Sequence, residues 1–382
     1  MLFEIIVFLG ILTFLVFIHE LGHFYTAKKF GIKVEEFGIG LPPRAFGKKI
    51  GETIYSLNWL PLGGFVQIKG EDLSDNVDPK DKTNFANKKP WQRTVVLLAG
   101  IFMNLVFAIG VFYYSLGSNN WESMPMISFN NYQFRFGETV KLANVIINIK
   151  EGSAAQKSGL ELGDRIVNLE YQGTKVEPTN VEEVKAFLVD KEGKEIAINT
   201  VNMVTGEEML RVFVPEYNDE IKQPALGVSL DNAIKLKYNT ANEKAFAGFF
   251  HVLNLTEYNL SVLKMLTNTS IQQKTVEPIA QSVSGPIGIF DVVKTILNTQ
   301  SKNPFLAILD ISAIISLSLA LMNLLPIPAL DGGRVVFVII EWITGKRVAA
   351  KWEAQAHQYG FMFLIGLIIL ITFKDVWMIW AK

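Results

Sequence analysis

The chain has 382 residues, 49% of them hydrophobic, and a mean hydropathy of +0.26, too apolar for an ordinary soluble enzyme and suggestive of several membrane spans plus a water-exposed portion. Lysine and arginine (36) nearly balance aspartate and glutamate (37), so the net charge of −1 gives no sign of a nucleic-acid partner. Cysteine is absent, which excludes disulfides, thiolate metal sites and cysteine nucleophiles; four histidines, His19, His23, His251 and His357, keep the search for a metal site short.

Four stretches are long and uncharged enough to cross a bilayer: about 3–24, 94–116, 306–327 and 357–380, the last interrupted near its end by Lys374 and Asp375. The first lacks the basic start and small-residue cleavage site of a secretory leader and reads as a retained span. The apolar run Val335–Trp342 is too short to cross. Basic residues gather between spans one and two (Lys28, Lys29, Lys33, Arg44, Lys48, Lys49, Lys88, Lys89) and between spans three and four (Arg334, Lys346, Arg347, Lys351). By the positive-inside rule both loops are cytoplasmic, and both termini and residues 117–305 lie outside.

The histidines of the first span stand as His19-Glu20-Leu21-Gly22-His23. On a helix, positions four apart share a face, so both imidazoles can reach one ion. Zinc accepts two such nitrogens and, for catalysis, needs a third protein ligand and an open position. Glu20, one residue round the helix, can act as general base toward a water on that ion. The alternative is two histidines packed in a helix bundle, but ionisable groups at membrane depth are rare without a purpose.

For the third ligand, Glu35, Glu36 and Glu52 are formally available. Asp331 is the better candidate. It lies in "NLLPIPALDGGRV" at the end of the third span, where Pro326 and Pro328 cannot continue a regular helix and Gly332 and Gly333 permit a sharp turn. Broken backbone at that depth is tolerated only when buried in protein or lining a wet cavity. Spans one and three both run inward, so His19, His23 and Asp331 approach the same level. Two carboxylates at mid-membrane cost about 5–7 kcal/mol on insertion scales, whereas a well-formed zinc site contributes on the order of 10–16 kcal/mol in peptide models. Metal binding can offset that burial.

Between spans one and two, "ETIYSLNWLPLGGFVQIK" (52–69) has two β-type runs flanking a Pro-Leu-Gly-Gly turn, a hairpin signal. It reads either as a small structural hairpin or as an exposed strand edge able to hold a substrate in extended form. Residues 71–90 are polar and read as a linker. From about 140 to 230, valines and isoleucines alternate with polar residues around one helical stretch, Asn180–Leu188. "KEGSAAQKSGLELGDRIVNLEYQG" (150–173) resembles a PDZ domain, which implies a small α+β barrel that takes peptide ends by strand addition. Ala245–Leu266 has amphipathic character suited to a membrane surface.

In chain order, His-Glu-x-x-His, Leu-Pro-Leu-Gly-Gly (60–64), the PDZ-like segment, Ser-Gly-Pro-Ile-Gly (284–288) and Asn-x-x-Pro-x-Pro-x-x-Asp-Gly (323–332) resemble the site-2 protease family of intramembrane zinc metalloproteases, close to its bacterial regulator of sigma-E protease group. The resemblance covers nearly the whole chain. It implies Zn2+ held by His19, His23 and Asp331, with Glu20 as the catalytic glutamate and Asn323 contacting substrate or the developing oxyanion. It also implies a membrane-associated β-hairpin that engages substrate through Leu62, Gly63, Gly64 and Phe65. The substrates it implies are single-span membrane proteins in a bacterial inner membrane, of the anti-sigma-factor or remnant-signal-peptide kind, cut after a first protease; PDZ-bound peptide ends and the lipid bilayer are the other partners. Two features depart from the group. The second span has Gly100-Ile101-Phe102-Met103-Asn104 where the group often has Gly-Pro-x-x-Asn, and Asn104 reads as polar glue between helices. There is also one PDZ-like segment where better-known members have two.

The expected architecture is a polytopic α-helical membrane protein with about four spans and an inserted external PDZ domain. Residues 1–30 carry the first span, 31–91 the cytoplasmic loop with its hairpin, and 92–118 the second span. Residues 135–232 form the external domain, 233–304 an amphipathic connector, and 305–382 the last two spans. The rival reading is a non-catalytic membrane PDZ scaffold with a structural metal; structural zinc sites are closed and need no general base such as Glu20. His251 and His357 are expected to do nothing catalytic, His251 as an interfacial residue.

Overall fold

The structure is a computed structural model that describes residues 1–71, 78, 80–128, 132–203, 206–218, 222–298 and 303–380. In chain order the elements are α1 (Leu2–Lys29), β1 (Val34–Ile50), β2 (Thr53–Ile68), α2 (Pro90–Ser118), β3 (Met126–Ile127), β4 (Glu138–Ile149), α3 (Ala154–Lys157), β5 (Asp164–Tyr171), β6 (Thr174–Val176), α4 (Val181–Leu188), β7 (Ile196–Asn202) and β8 (Glu208–Phe213). There follow β9 (Glu216–Asn218), β10 (Gln223–Ala225), β11 (Val228–Lys237), α5 (Ala241–Ala245), α6 (Ala247–Gln273), α7 (Glu277–Ser282), α8 (Pro286–Asn298), α9 (Pro304–Leu324), α10 (Asp331–Thr344) and α11 (Ala350–Trp380). They divide into two compact units, Met1–Val111 with Leu266–Lys294 and Leu309–Lys382, and Phe112–Met265 with Thr295–Ile308.

Among the described residues, four helices are long and apolar enough to cross a membrane: α1, α2, α9 and α11. Their apolar runs overlap the four stretches read from sequence, but α1 continues to Lys29 and α11 reaches back to Ala350, while α9 stops at Leu324, short of the expected 327. Once the backbone is helical, flanking polar residues extend the hydrogen-bonded ladder at little cost. The charges that interrupt α11 have partners in the first unit. Lys374 Nζ donates to the Ala280 and Val283 carbonyls, and the Asp375 carboxylate accepts from Gly285 N (2.8 Å) and Gly288 N (3.1 Å). The Ser-Gly-Pro-Ile-Gly stretch is thus the N-terminus of α8, whose amides the Asp375 carboxylate caps.

The β-structure of this unit differs from a hairpin turning at Pro-Leu-Gly-Gly. The tight turn is Gly51-Glu52, with Gly51 at φ 62°, and it joins two long strands, β1 and β2. Both strands bend. Residues 36–39 pair with 54–57 on one side and with 64–67 on the other, while 44–50 pair with 53–58. Two strands therefore make a sheet four segments wide, with 44–50 and 64–68 at its edges. Pro61–Gly64 is the bend within β2, packed on α1: Thr13 Oγ1 donates to the Pro61 carbonyl at 3.0 Å, and Gly63 (φ 71°) abuts Val16. The proposed linker at 71–90 lies partly outside the described residues, at 72–77 and 79. Its later part is structured, with Phe85 and Asn84 buried and a 3-10 turn over Phe85–Asn87.

The second unit is a mixed α/β body. Its largest sheet has the strand order β3-β11-β4-β5-β7-β8, with β6 added to β5, and among the described residues it does not close into the small barrel expected from sequence. The β-structure reaches from Met126 to Lys237, beyond the expected 135–232. Strand β7 shows the logic: Ile196, Ile198, Thr200 and Asn202 alternate inward, as a half-buried strand requires. Helix α4 starts where Asn180 accepts from the Glu183 amide. Its Val184, Phe187 and Leu188 pack with Ile146, Ile166 and Leu169 in one core. His251 on α6 is buried against Phe112, with Nδ1 3.4 Å from the Tyr238 hydroxyl, rather than interfacial. Burial pushes its pKa down to about 4, which keeps the ring neutral.

Candidate metal centre

The site begins with a close approach of α1 and α2. A Cβ on Gly22 would overlap the Ala99 carbonyl, and one on Gly100 would overlap both imidazole rings. Two glycines therefore let the histidine face of α1 press against bare backbone. His19 and His23 are 8% and 6% exposed, one above the other, with ring centroids 4.8 Å apart. His23 Nδ1 lies 2.8 Å from the Val96 carbonyl oxygen, which can only accept. His23 therefore carries its proton on Nδ1, and in the neutral ring the Nε2 lone pair is free.

Asp331 arrives from the other end of the chain. Helix α9 ends at Leu324, and Pro326 and Pro328 hold the next residues out of helix. Ala329 takes a left-handed φ of 81° and donates its N–H to His357 Nδ1 at 2.8 Å. Leu330 is extended, and Asp331 opens α10. The glycines after it do not make the expected sharp turn. Both are helical, and a Cβ on Gly332 or Gly333 would overlap the Leu325 or Ile327 carbonyl. They allow α10 to pack on the loop that precedes it. Gly360 of α11 likewise has no room for a side chain against Pro328. His357 and Gly360 thus hold the loop that aims Asp331. A histidine one turn before a helical glycine was the sequence signal for this role, but it carries no meaning until the loop is seen.

Among the described residues, His19, His23 and Asp331 are brought together as one possible metal-binding group. His19 Nε2 and His23 Nε2 are 3.1 Å apart, and Asp331 Oδ2 lies 2.9 Å from the first and 3.4 Å from the second. A tetrahedral ion with bonds of about 2.0–2.2 Å separates its ligand atoms by about 3.3–3.6 Å. Asp331 Oδ2 is buried and, although close to both rings, is aligned for no hydrogen bond. Two ring nitrogens face a buried carboxylate oxygen, and two imidazoles with one carboxylate are a zinc donor set. The residues fit that ion.

Glu20, His23 and Asp331 line a cavity of about 360 Å³ together with Phe65, Val66, Gln67, Ile68, Glu71 and Arg334. The edge segment of β2 is thus one wall of the cavity, and the Glu71–Arg334 ion pair is another. Of the four hairpin residues singled out in sequence, Phe65 reaches this cavity. Gly63 and Gly64 lie at the bend against α1, and Leu62 is exposed. Asn323 sits in the last turn of α9, partly exposed and outside the cavity lining. The other acidic candidates stand elsewhere. Glu36 pairs with Arg44 within the sheet, Glu35 lies 3.9 Å from Lys33, and Glu52 is exposed in the turn.

A family model for peptidase family M50 matches residues 7–367. A protein of Fusobacterium nucleatum provisionally named a zinc metalloprotease is 32% identical over 388 residues, covering 97% of each chain. Another with the same provisional name, from Clostridium perfringens, is 34% identical over 363 residues, covering 95% of each. Zinc metalloprotease RasP of Bacillus licheniformis is 28% identical over 420 residues, covering 97% of this chain and 98% of that one. With this span of similarity, and with two histidines and an aspartate converging beside a glutamate, the chain belongs to peptidase family M50, the site-2 proteases.

Proposed function

We propose that this chain is a zinc-dependent intramembrane endopeptidase that hydrolyses a peptide bond within or near the membrane segment of a single-span protein. The observation that carries the reading is the convergence of His19, His23 and Asp331, the last two lining a cavity together with Glu20 and the edge segment of β2. These three residues would hold Zn2+, which would supply Lewis acidity toward the scissile carbonyl and lower the pKa of water.

The chain's own residues do the rest. Glu20 takes the proton of the attacking water and delivers it to the departing amine, so that acid and base work fall to one carboxylate. A helical substrate hides its carbonyls, so it must unwind to react. Pairing with residues 64–68 of β2, beginning at Gly64 and Phe65, holds it extended beside the metal, and Leu62 and Gly63 shape the approach. Asn323, in the last turn of α9 and outside the cavity lining, is the side-chain amide that would reach the developing oxyanion once substrate fills the site. The outer part of the sheet leaves Phe46, Leu57 and Trp59 exposed, which suits contact with lipid.

The basic residues of the loops between spans support an active site toward the cytoplasmic side of a bacterial inner membrane and an external segment 117–305. There, residues of β4 to β11 serve as a PDZ module that binds peptide ends or excludes substrates whose external domain has not yet been removed by a first protease. The test is Glu20→Gln. The full chain in membranes should keep its zinc, lose at least about 100-fold in cleavage, and let uncut single-span substrates accumulate. Undiminished cleavage would overturn the mechanism.

A further inference from the structure

His19 has one ring nitrogen, Nε2, facing His23 and Asp331, and the other, Nδ1, facing α2. There Asn104 lies fully buried with its side-chain amide nitrogen 3.3 Å from His19 Nδ1, while its amide oxygen, also buried, has no partner. That arrangement is chemically inconsistent with a metal ligand. An N–H donated to Nδ1 requires a lone pair there, which in the neutral ring moves the proton to Nε2, where a metal must bind. It also leaves one amide oxygen orphaned in the interior, at a cost of about 1–3 kcal/mol. The two ends of a primary amide have nearly the same shape and are assigned by their surroundings. Turned by half a revolution, the amide puts its oxygen where its nitrogen stands, accepts the Nδ1–H of His19, and removes both faults.

Asn104 joins helices twice: its side chain reaches His19 on α1, and its backbone carbonyl accepts from Ser316 Oγ on α9 at 3.0 Å, so the contact with α9 leaves the side chain to His19. Four residues earlier on the same face of α2, Gly100 gives the rings their space. Gly100 and Asn104 are thus one device, a gap for the imidazoles and a handle for one of them. His23 has its counterpart handle in the Val96 carbonyl, so both rings are held by acceptors on α2.

We infer that Asn104 is a positioning residue for His19: its amide oxygen accepts the Nδ1–H, fixing the tautomer and ring plane that direct Nε2 at the metal position. This rests on the zinc reading above. Outer partners of this kind are worth 10- to 100-fold in metal affinity when removed.

The experiment measures zinc affinity of the purified full chain in detergent by competition with a chelator, beside the ring-nitrogen NMR signals of 15N-histidine-labelled, zinc-loaded protein. Asn104→Leu should weaken zinc binding 10- to 100-fold. Asn104→Asp, which can only accept, should bind zinc at least as tightly as the native chain. In the native protein His19 should carry its proton on Nδ1. Native zinc affinity in Asn104→Leu, a 10-fold loss in Asn104→Asp, or an unprotonated His19 Nδ1 would each overturn the inference. The NMR result stands without either variant folding. Asp331→Ala separates the two readings: if it holds zinc as tightly as the native chain, the metal site itself is wrong, whereas zinc loss there with native affinity in Asn104→Leu refutes the role of Asn104 alone.

Discussion

Each of the two units buries a polar cluster, and the clusters are built to opposite rules. In the β-unit, Asp164 is 1% exposed and accepts from Asn202 Nδ2 and Arg211 Nη1, both at 3.0 Å, and from the Glu161 amide at 3.1 Å; Arg211 also donates to Thr200 Oγ1 at 2.9 Å. Donors answer acceptors, one charge answers another, and the set is closed. In the helical unit, the Nε2 atoms of His19 and His23 and the Asp331 carboxylate face one another, and His23 and Asp331 border a cavity. Buried polarity alone marks neither cluster as functional. What separates them is the count of donors against acceptors: a closed count stabilises a fold, whereas a surplus of acceptors around one point calls for a cation.

The largest effect should come from filling the gap that lets the open cluster form. In Gly100→Ala the new methyl meets both imidazoles, and making room for it would pull α2 off the close contact between Gly22 and the Ala99 carbonyl. Zinc content should fall from one per chain to near zero, with cleavage lost alongside it. Gly110→Ala is the control on the same helix, since nothing lies within 4 Å of a Cβ there. It should keep zinc and activity, because alanine is the better helix former by about 1 kcal/mol. Equal zinc in the two variants would refute the close approach.

The closed cluster should respond in the other currency, stability. Asp164→Ala strips the partner from Arg211 and from Asn202, and breaking a buried pair from one side costs about 3–5 kcal/mol. The β-unit should become sensitive to added protease at a temperature where the native chain resists, while zinc stays at one per chain. Loss of zinc in Asp164→Ala would mean that the two clusters are not independent.

Sequence made the open cluster legible and the closed one invisible, for physical reasons. His-Glu-x-x-His declares itself because metal ligation demands a fixed helical spacing, and the four apolar runs because the bilayer demands length. Asp331 could be picked out because Pro326 and Pro328 break the helix just before it. Nothing local announces that Gly332 and Gly333 serve close packing against the preceding loop, that Asp375 caps α8 ninety residues earlier, or that His357 holds Ala329. Those roles depend on which backbone comes near, and proximity is set by the whole fold. The four-segment sheet escaped for the same reason. Pro-Leu-Gly-Gly is a fair turn signal locally, but residues 36–39, which it wraps, lie outside the window in which a turn is read.

The smallest effect should come from a half-closed pair at the surface of the β-unit, where pH can open it. Glu122 sits between Lys235 and Lys237, about a quarter exposed. The hydrogen bond from Lys235 outweighs partial burial and, with the one from Lys237, holds the Glu122 carboxyl below its ordinary value of 4.5. A carboxyl depressed in the folded state stabilises it at pH above the unfolded value and loses that contribution as pH falls through the folded one. Glu122→Gln should therefore lower the unfolding temperature slightly at pH 7, by the equivalent of about 0.5–1 kcal/mol, and the gap to the native chain should close as pH falls below about 4. Raising salt should shrink the same gap at pH 7, since an exposed pair is screened. A gap that persists in acid would show that Glu122 contributes by packing rather than by charge, and the pair would then belong with the apolar core.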